Sequence, residues 1–112
     1  MVARFKIRID HADELYAQIC LVKLPGLWLR EHAFHHERRW RVDIANTTAK
    51  LAVEVEGFAL GAQPGRHQRI AGFMADIEKY NELTILGWRL IRCTSKHVKN
   101  GQALTWIERA LK

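Results

Sequence analysis

Arg41-Val-Asp-Ile-Ala-Asn46 and Lys50-Leu-Ala-Val-Glu-Val-Glu56 are the two stretches on which the reading of this chain turns. Both are short, apolar and rich in β-branched residues, as strands are. Yet they carry Asp43, Glu54 and Glu56. Acids rarely occupy apolar strands unless something compensates their charge. In a strand alternate residues share a face. Val42 and Ile44 are therefore expected on one side, with Arg41 and Asp43 on the other. Leu51, Val53 and Val55 are expected opposite Glu54 and Glu56. A two-residue loop at Thr48-Ala49, or a four-residue loop at Thr47 to Lys50, yields one and the same hairpin register. In it Asp43 faces Glu54 and Arg41 faces Glu56. Directly opposed residues have Cβ atoms roughly 4.5–5.5 Å apart, where like charges repel. A bound cation reverses the sign of that interaction. The bland alternative is a half-exposed strand whose polar face happens to be acidic, with Arg41 neutralising Glu56.

The flanking sequence supplies the other elements. Asp10 or His11 starts a first helix with the stripe Leu15, Ile19, Leu21 and Val22, ended by Pro25-Gly26. Trp28 to Phe34 reads as a strand, His35 to Arg39 as a basic turn, Trp40 to Asn46 and Lys50 to Phe58 as further strands. A glycine-rich loop holding Gly57, Gly61, Pro64 and Gly65 precedes a long helix, Arg66 to Leu86. Ile70, Phe73, Met74, Ile77, Tyr80 and Ile85 form its expected core stripe. Trp88 to Cys93 is apolar on both faces apart from its arginines, as in a central strand. Ser95 or Asn100 caps a last helix bearing Ala103, Leu104, Ile107 and Leu111. The order is αβββαβα. Short links make the first three strands antiparallel. The long helix between the third and fourth demands a parallel crossover. The fold class is α/β (α+β), a mixed sheet with helices on its faces.

At 112 residues the chain makes one domain, 1–112, small enough that dimerisation is a natural way to bury more surface. The net charge is +6, and such an excess suits a polyanionic partner as well as plain solubility. Three clusters could contact phosphate: Arg38, Arg39 and Arg41; Arg66, His67 and Arg69; Lys96, His97 and Lys99. The second opens a helix, where anions are favoured. Cys20 and Cys93 sit in apolar surroundings, read as buried free thiols in a reducing compartment, and lack zinc spacing. His32, His35 and His36 lack partners at zinc spacing. Trp28, Trp40, Trp88 and Trp106 read as core or dimer contacts. No signal peptide or apolar run of membrane length is apparent.

Carboxylate oxygens suit hard ions such as Mg²⁺ or Mn²⁺, which keep coordination sites for water and phosphate. Acids on strands, in a basic chain, point to a nuclease. Here the residues resemble a known family. Asp43, then Glu54-X-X56 on an adjacent strand, resembles the PD-(D/E)XK nuclease superfamily, and the element order matches its core. Glu37-Arg-Arg-Trp-Arg-Val-Asp43, Leu51-Ala-Val-Glu-Val-Glu-Gly57, Gly65-Arg-His67, Asp76-Ile-Glu-Lys-Tyr-Asn81 and Gly87-Trp-Arg-Leu-Ile-Arg92 resemble small phage or prophage members. Those relatives are akin to very-short-patch-repair endonucleases and Holliday-junction resolvases. Val42 replaces the motif proline and Glu56 the motif lysine.

The resemblance implies a restriction-endonuclease-like fold and a Mg²⁺-dependent DNA endonuclease in recombination or repair, with no organic cofactor. Asp43, Glu54 and Glu56 would bind metal, or Glu56 would act as general base. Lys79 is the candidate for the displaced lysine. It recurs with Arg69, Gly72 and Asp76 opposite the core stripe; its alternative is an ion pair with Asp76. Glu14, or Glu31, would be an extra acid. A homodimer acting on branched DNA in a bacterial host's cytoplasm is expected. The alternatives are a nicking or repair enzyme, a catalytically weak DNA-binding module, and a core whose acids merely face solvent.

Overall fold

The computed structural model describes residues 10–57, the backbone of 66–68, and residues 69–112. Its elements are α1 (His11–Leu21), β1 (Trp28–Ala33), β2 (Arg41–Asn46), β3 (Leu51–Glu56), α2 (Arg66–Ile85), β4 (Arg89–Thr94), α3 (Ser95–Lys99) and α4 (Gln102–Ala110). They form a mixed α/β fold around one four-stranded sheet of order β1-β2-β3-β4. The first three strands are antiparallel neighbours, and β3 and β4 run parallel. The glycine-rich stretch after Gly57 lies outside the described residues. Among the described residues no helix is long and apolar enough to cross a membrane.

The β2–β3 hairpin has the expected register, with Ile44 opposite Val53, Ala45 opposite Ala52 and Asn46 opposite Leu51. The turn is the four-residue one, with Lys50 in the left-handed region at φ 51°. Asn46 locks it from inside the core. Its side chain donates to the Pro25 carbonyl at 2.9 Å and accepts from the Ala49 N–H at 2.9 Å. Gly26, at φ 102°, lies against the same amide; a Cβ there would sit 2.4 Å from Asn46 Nδ2.

Two packed layers cover the sheet. On one face Leu15 and Ile19 of α1, Val98 of α3, and Ala103 and Ile107 of α4 close over Trp28, Ile44, Leu51, Val53 and Cys93. On the other Leu83 of α2 packs against Val42, Ala45 and Ala52, with Tyr80, Trp88 and Leu90 at the margin. Each of the largest buried side chains contributes roughly 1.5–3 kcal/mol through removal from water.

Several expectations are corrected. Val42 and Ile44 lie on opposite faces, because the strand turns over between them. β4 is an edge strand rather than a central one; its apolar residues are covered by α4 and α2. Leu21 and Val22 are exposed, since α1 ends at Leu21, short of Pro25. Cys20 is exposed and Cys93 buried, both as free thiols. The last helix is two helices, parted at Asn100 and Gly101, the latter at φ 85°. The expected α2 stripe is largely exposed, with Phe73 67% and Ile85 74% accessible. The helix instead turns Lys79, Tyr80 and Leu83 inward.

The Asn46 contact makes a direct prediction. Asn46→Ala leaves the Pro25 carbonyl and the Ala49 N–H without partners and should cost roughly 2–4 kcal/mol in urea unfolding. Gly26→Ala should cost a comparable amount, because it adds a clash to a left-handed backbone.

Candidate active site

Asp43 is where the pairing of β2 with β3 stops. The β2–β3 ladder ends at Ile44 and Val53. One step further, the Val55 N–H donates to the Asp43 carboxylate at 2.8 Å, so a side chain fills the place of a strand partner. On the other side of Asp43, the β1–β2 register runs to Arg30 and Ile44 and resumes at His32 and Val42. Glu31, between them, is left-handed at φ 49°. Both strands change face at this step: Arg30 points toward α1 while His32 packs on Trp88, 5.6 Å between rings.

Arg30 holds the kink. Its guanidinium donates to the Asp43 carbonyl, to Asp13 at 2.7 Å and to Asp10 at 3.3 Å. Asp10 also caps α1, accepting from the Ala12 N–H at 2.9 Å. The start of α1 is thereby tied to the backbone of Asp43.

The opened end of the sheet brings the acids together. Glu54 is only 7% exposed, and the carboxyl of Asp43 is near enough to bear on its ionisation. Lys79 of α2 donates to Glu54 at 2.5 Å. Burial is the chief cause that pushes Glu54 up, to about 7; Asp43 adds to the rise and Lys79 opposes it. Glu54 thus holds a proton well above the ordinary carboxylate range. Burial and the nearby Glu54 also raise the Tyr80 phenol, which stays neutral beside them. The Cys93 thiol is raised to about 11, chiefly by burial and then by Asp43 and Glu56.

Glu56 stands apart from this pair. It accepts from Arg92 at 2.8 Å, and Arg92 lies 5.0 Å from the Tyr80 ring. The partner is Arg92, not Arg41, which registers with Ala33 on β1 and faces solvent. Two hollows flank Glu56 and Gly57. One, of about 400 Å³, is lined by Arg92, Cys93, Thr94 and His97. The other, of about 210 Å³, is lined by Asp10, His11, Asp43 and Val55. Among the described residues no three acidic, histidine or cysteine side chains gather as a ready metal cage.

The basic residues converge on this end by topology. β2 begins here, β3 and β4 end here, and α3 starts directly after Thr94. Arg38 stacks on Trp40 at 4.2 Å and meets Glu78 at 3.5 Å. Its loop is held by His35, whose buried Nδ1 accepts from the Glu37 and Arg38 N–H groups at 3.1 and 2.9 Å. Arg39, Arg41, Arg69, Lys96 and Lys99 are exposed. His97 turns inward instead, accepting from the Thr94 N–H at 3.0 Å. The side chains of Arg66 and His67 lie outside the described residues. Glu14 is occupied by His11 at 3.2 Å, and Glu31 is exposed.

Sequence reasoning missed Arg30, Arg92 and Tyr80. Arg30 lies on β1 outside the quoted motifs, and it acts through a backbone carbonyl and the acids of α1. Arg92 could have been found, since the parallel register sets it beside Glu54. Comparison with protein-family models, with curated proteins and with solved structures finds nothing similar to this chain.

The raised Glu54 group has a pH signature. Between about 4.5 and about 7 the folded chain keeps a proton that the unfolded chain releases. Stability contributed by this group should therefore fall as pH rises through that window. Glu54→Gln should flatten the fall in urea titrations. Lys79→Met leaves the buried acids without their cation and should cost roughly 3 kcal/mol at pH 8, less at pH 5.

Proposed function

We propose that this chain is a divalent-metal-dependent DNA endonuclease with a restriction-endonuclease-like core. One observation carries the reading: where β2 parts from β3, Asp43 and the buried Glu54 bear on each other's ionisation, with the Lys79 ammonium 2.5 Å from Glu54. Two carboxylates held together against their repulsion, with a lysine beside them and basic residues around the same sheet end, form a set suited to phosphodiester hydrolysis.

The donor chemistry fits the ion. Asp43 and Glu54 offer hard oxygens, and Glu54 already shares its neighbourhood with a proton and an ammonium, the positive charges a cation would displace. Bound by these two, Mg²⁺ or Mn²⁺ would supply Lewis acidity toward a phosphate oxygen and lower the pKa of water. The rest is done by the protein. Asp43 stays oriented by the Val55 N–H and by Arg30. Glu54 must give up its proton. Lys79, released from Glu54, remains near enough to offset charge on the phosphoryl oxygens. Glu56 can complete the ligand set or take a proton from the attacking water, once Arg92 lets go of it. Arg38, Arg39, Arg41, Arg69, Lys96 and Lys99 would hold the DNA backbone, joined by Arg66 and His67 at the start of α2.

The favoured substrate is branched DNA, as for junction resolvases, because so small a domain offers little surface for base readout. A very-short-patch-type nicking or repair role is the neighbouring reading. The Glu56–Arg92 pair favours a third, a DNA-binding module with weak or no turnover, since the position usually held by lysine is already neutralised.

A cleavage panel on linear, nicked, flap and four-way-junction DNA, with Mg²⁺ or Mn²⁺, separates these. Asp43→Ala and Glu54→Ala should abolish cutting with DNA binding retained. Lys79→Met should lower turnover by roughly 10²-fold or more, in the range of a lost charge-stabilising group. The rate should climb with pH through about 7, as Glu54 loses its proton to solvent and becomes free to bind the ion. Normal cutting by both alanine variants removes the assigned site. Binding without cutting on every substrate, with either ion, leaves the DNA-binding module.

A further inference from the structure

A third hollow lies between α2 and the edge strand β4. Phe73, Asp76, Ile77, Tyr80 and Asn81 line it from α2 at i, i+3, i+4, i+7 and i+8, which is one side of a helix. Arg92 lines it from β4. Its volume is about 440 Å³, inside the range of roughly 300–1,000 Å³ that small-ligand sites span.

The wall is aromatic and apolar, with polar groups few and separate. Phe73 is 67% exposed and Ile77 41%, so both are open to a ligand. Tyr80 is held at the margin of the Leu83 layer, which makes its ring a fixed part of the wall. The Arg92 guanidinium lies 5.0 Å from the Tyr80 ring, a cation–π contact. It commits only Nε, to Glu56 at 2.8 Å; among the described residues its terminal nitrogens have no hydrogen-bond partner. Asp76 and Asn81, both exposed, set a carboxylate and an amide at the rim.

These groups specify a ligand. Aromatic rings suit a flat π face, the terminal guanidinium nitrogens suit an anion, and Asp76 suits N–H donors. A nucleotide offers all of these in its base, its phosphate and its Watson–Crick edge. An apolar peptide segment would use the rings alone. A paired base has its faces in the duplex stack and its edge in its partner, so only an unpaired one fits. We infer that this hollow is a subsite for one unpaired nucleotide, its base against Phe73 and Tyr80 and its phosphate at Arg92. The inference rests on the reading of this chain as DNA-acting, and it narrows the substrate to DNA with an unpaired base close to the cut. The closeness comes from Arg92, which joins the hollow to Glu56, and from Lys79, which precedes Tyr80 and reaches Glu54.

A duplex with a short single-stranded tail of fluorescent aminopurine tests this, against the same duplex without the tail. Chelator is present so that neither is cut. Stacking on a protein ring quenches the aminopurine. The wild-type chain should bind the tailed duplex about tenfold more tightly, a gain of about 1.4 kcal/mol, and quench its emission. Phe73→Ala should cut the preference to about twofold or less and abolish the quench, as loss of a base-stacking ring does. Phe73→Trp keeps an aromatic face and should keep both. Because Phe73 is mostly exposed, far-UV circular dichroism and the thermal midpoint of both variants should stay near wild type. Duplex binding with neither preference nor quench overturns the subsite and leaves the DNA reading standing. So does a preference that survives Phe73→Ala, or one that Phe73→Trp loses. A chain that binds neither DNA removes the DNA reading and the subsite together.

Discussion

One hydrogen bond organises the open end of this sheet: the Val55 N–H given to the Asp43 carboxylate rather than to a strand. A backbone donor inside a sheet must be satisfied. Here a side chain does it, and β2 is released from β3 at that point. The consequences propagate through covalent geometry. With β2 no longer laddered, Val42 can turn to the α2 face while Ile44 stays on the α1 face. The neighbouring strand follows through the left-handed Glu31. Arg30 then stabilises the altered backbone by binding the Asp43 carbonyl and the acids of α1. The hollow beside Asp43 exists because the strands part.

The same bond fixes the electrostatics. It holds the Asp43 carboxylate in the gap, within reach of Glu54. Two acids in such contact, one of them buried, cannot both be ionised without cost. The molecule answers partly with a proton, seen in the raised Glu54 group, and partly with Lys79. Replacing this cluster by apolar side chains would be expected to stabilise the fold, as it often does for buried ion pairs. Its presence in a core built mainly of aliphatic side chains is the physical reason to look for chemistry there.

Much of this was legible in residues. The hairpin register followed from loop length and parity, both of which are local and nearly discrete. The parallel pairing of β3 and β4 followed from the length of the segment between them. Lys79 was placed toward the acids because it lies opposite the apolar stripe of α2, and that geometry is what the structure has. The reasoning about the stripe itself failed. Periodicity reports that Ile70, Phe73, Met74 and Ile77 share a side, and it is silent on whether that side meets this chain's sheet. The face change at Asp43 was invisible, because alternation assumes an unbroken ladder. So was the Glu56–Arg92 pair, since parity ranks neighbours within a hairpin and Arg92 arrives on another strand, 36 residues later.

The misreading of α2 points back to its energetics. The helix is anchored through its second half, where Leu83 is 1% exposed and Lys79 and Tyr80 are partly covered. From Arg69 to Glu78 it has no such support. Helical order there cannot rest on propensity, since Gly72 lowers it and aromatic and β-branched residues do not raise it. Tertiary packing is the usual source of helix stability. A helix anchored at one end, with an apolar stripe along the remainder, has packing there that the described residues leave unmet. The side facing the sheet carries the lysine beside Glu54, and Phe73 and Ile77 border the hollow that Tyr80 and Arg92 line. Whatever orders the outer side therefore also steadies the inner one.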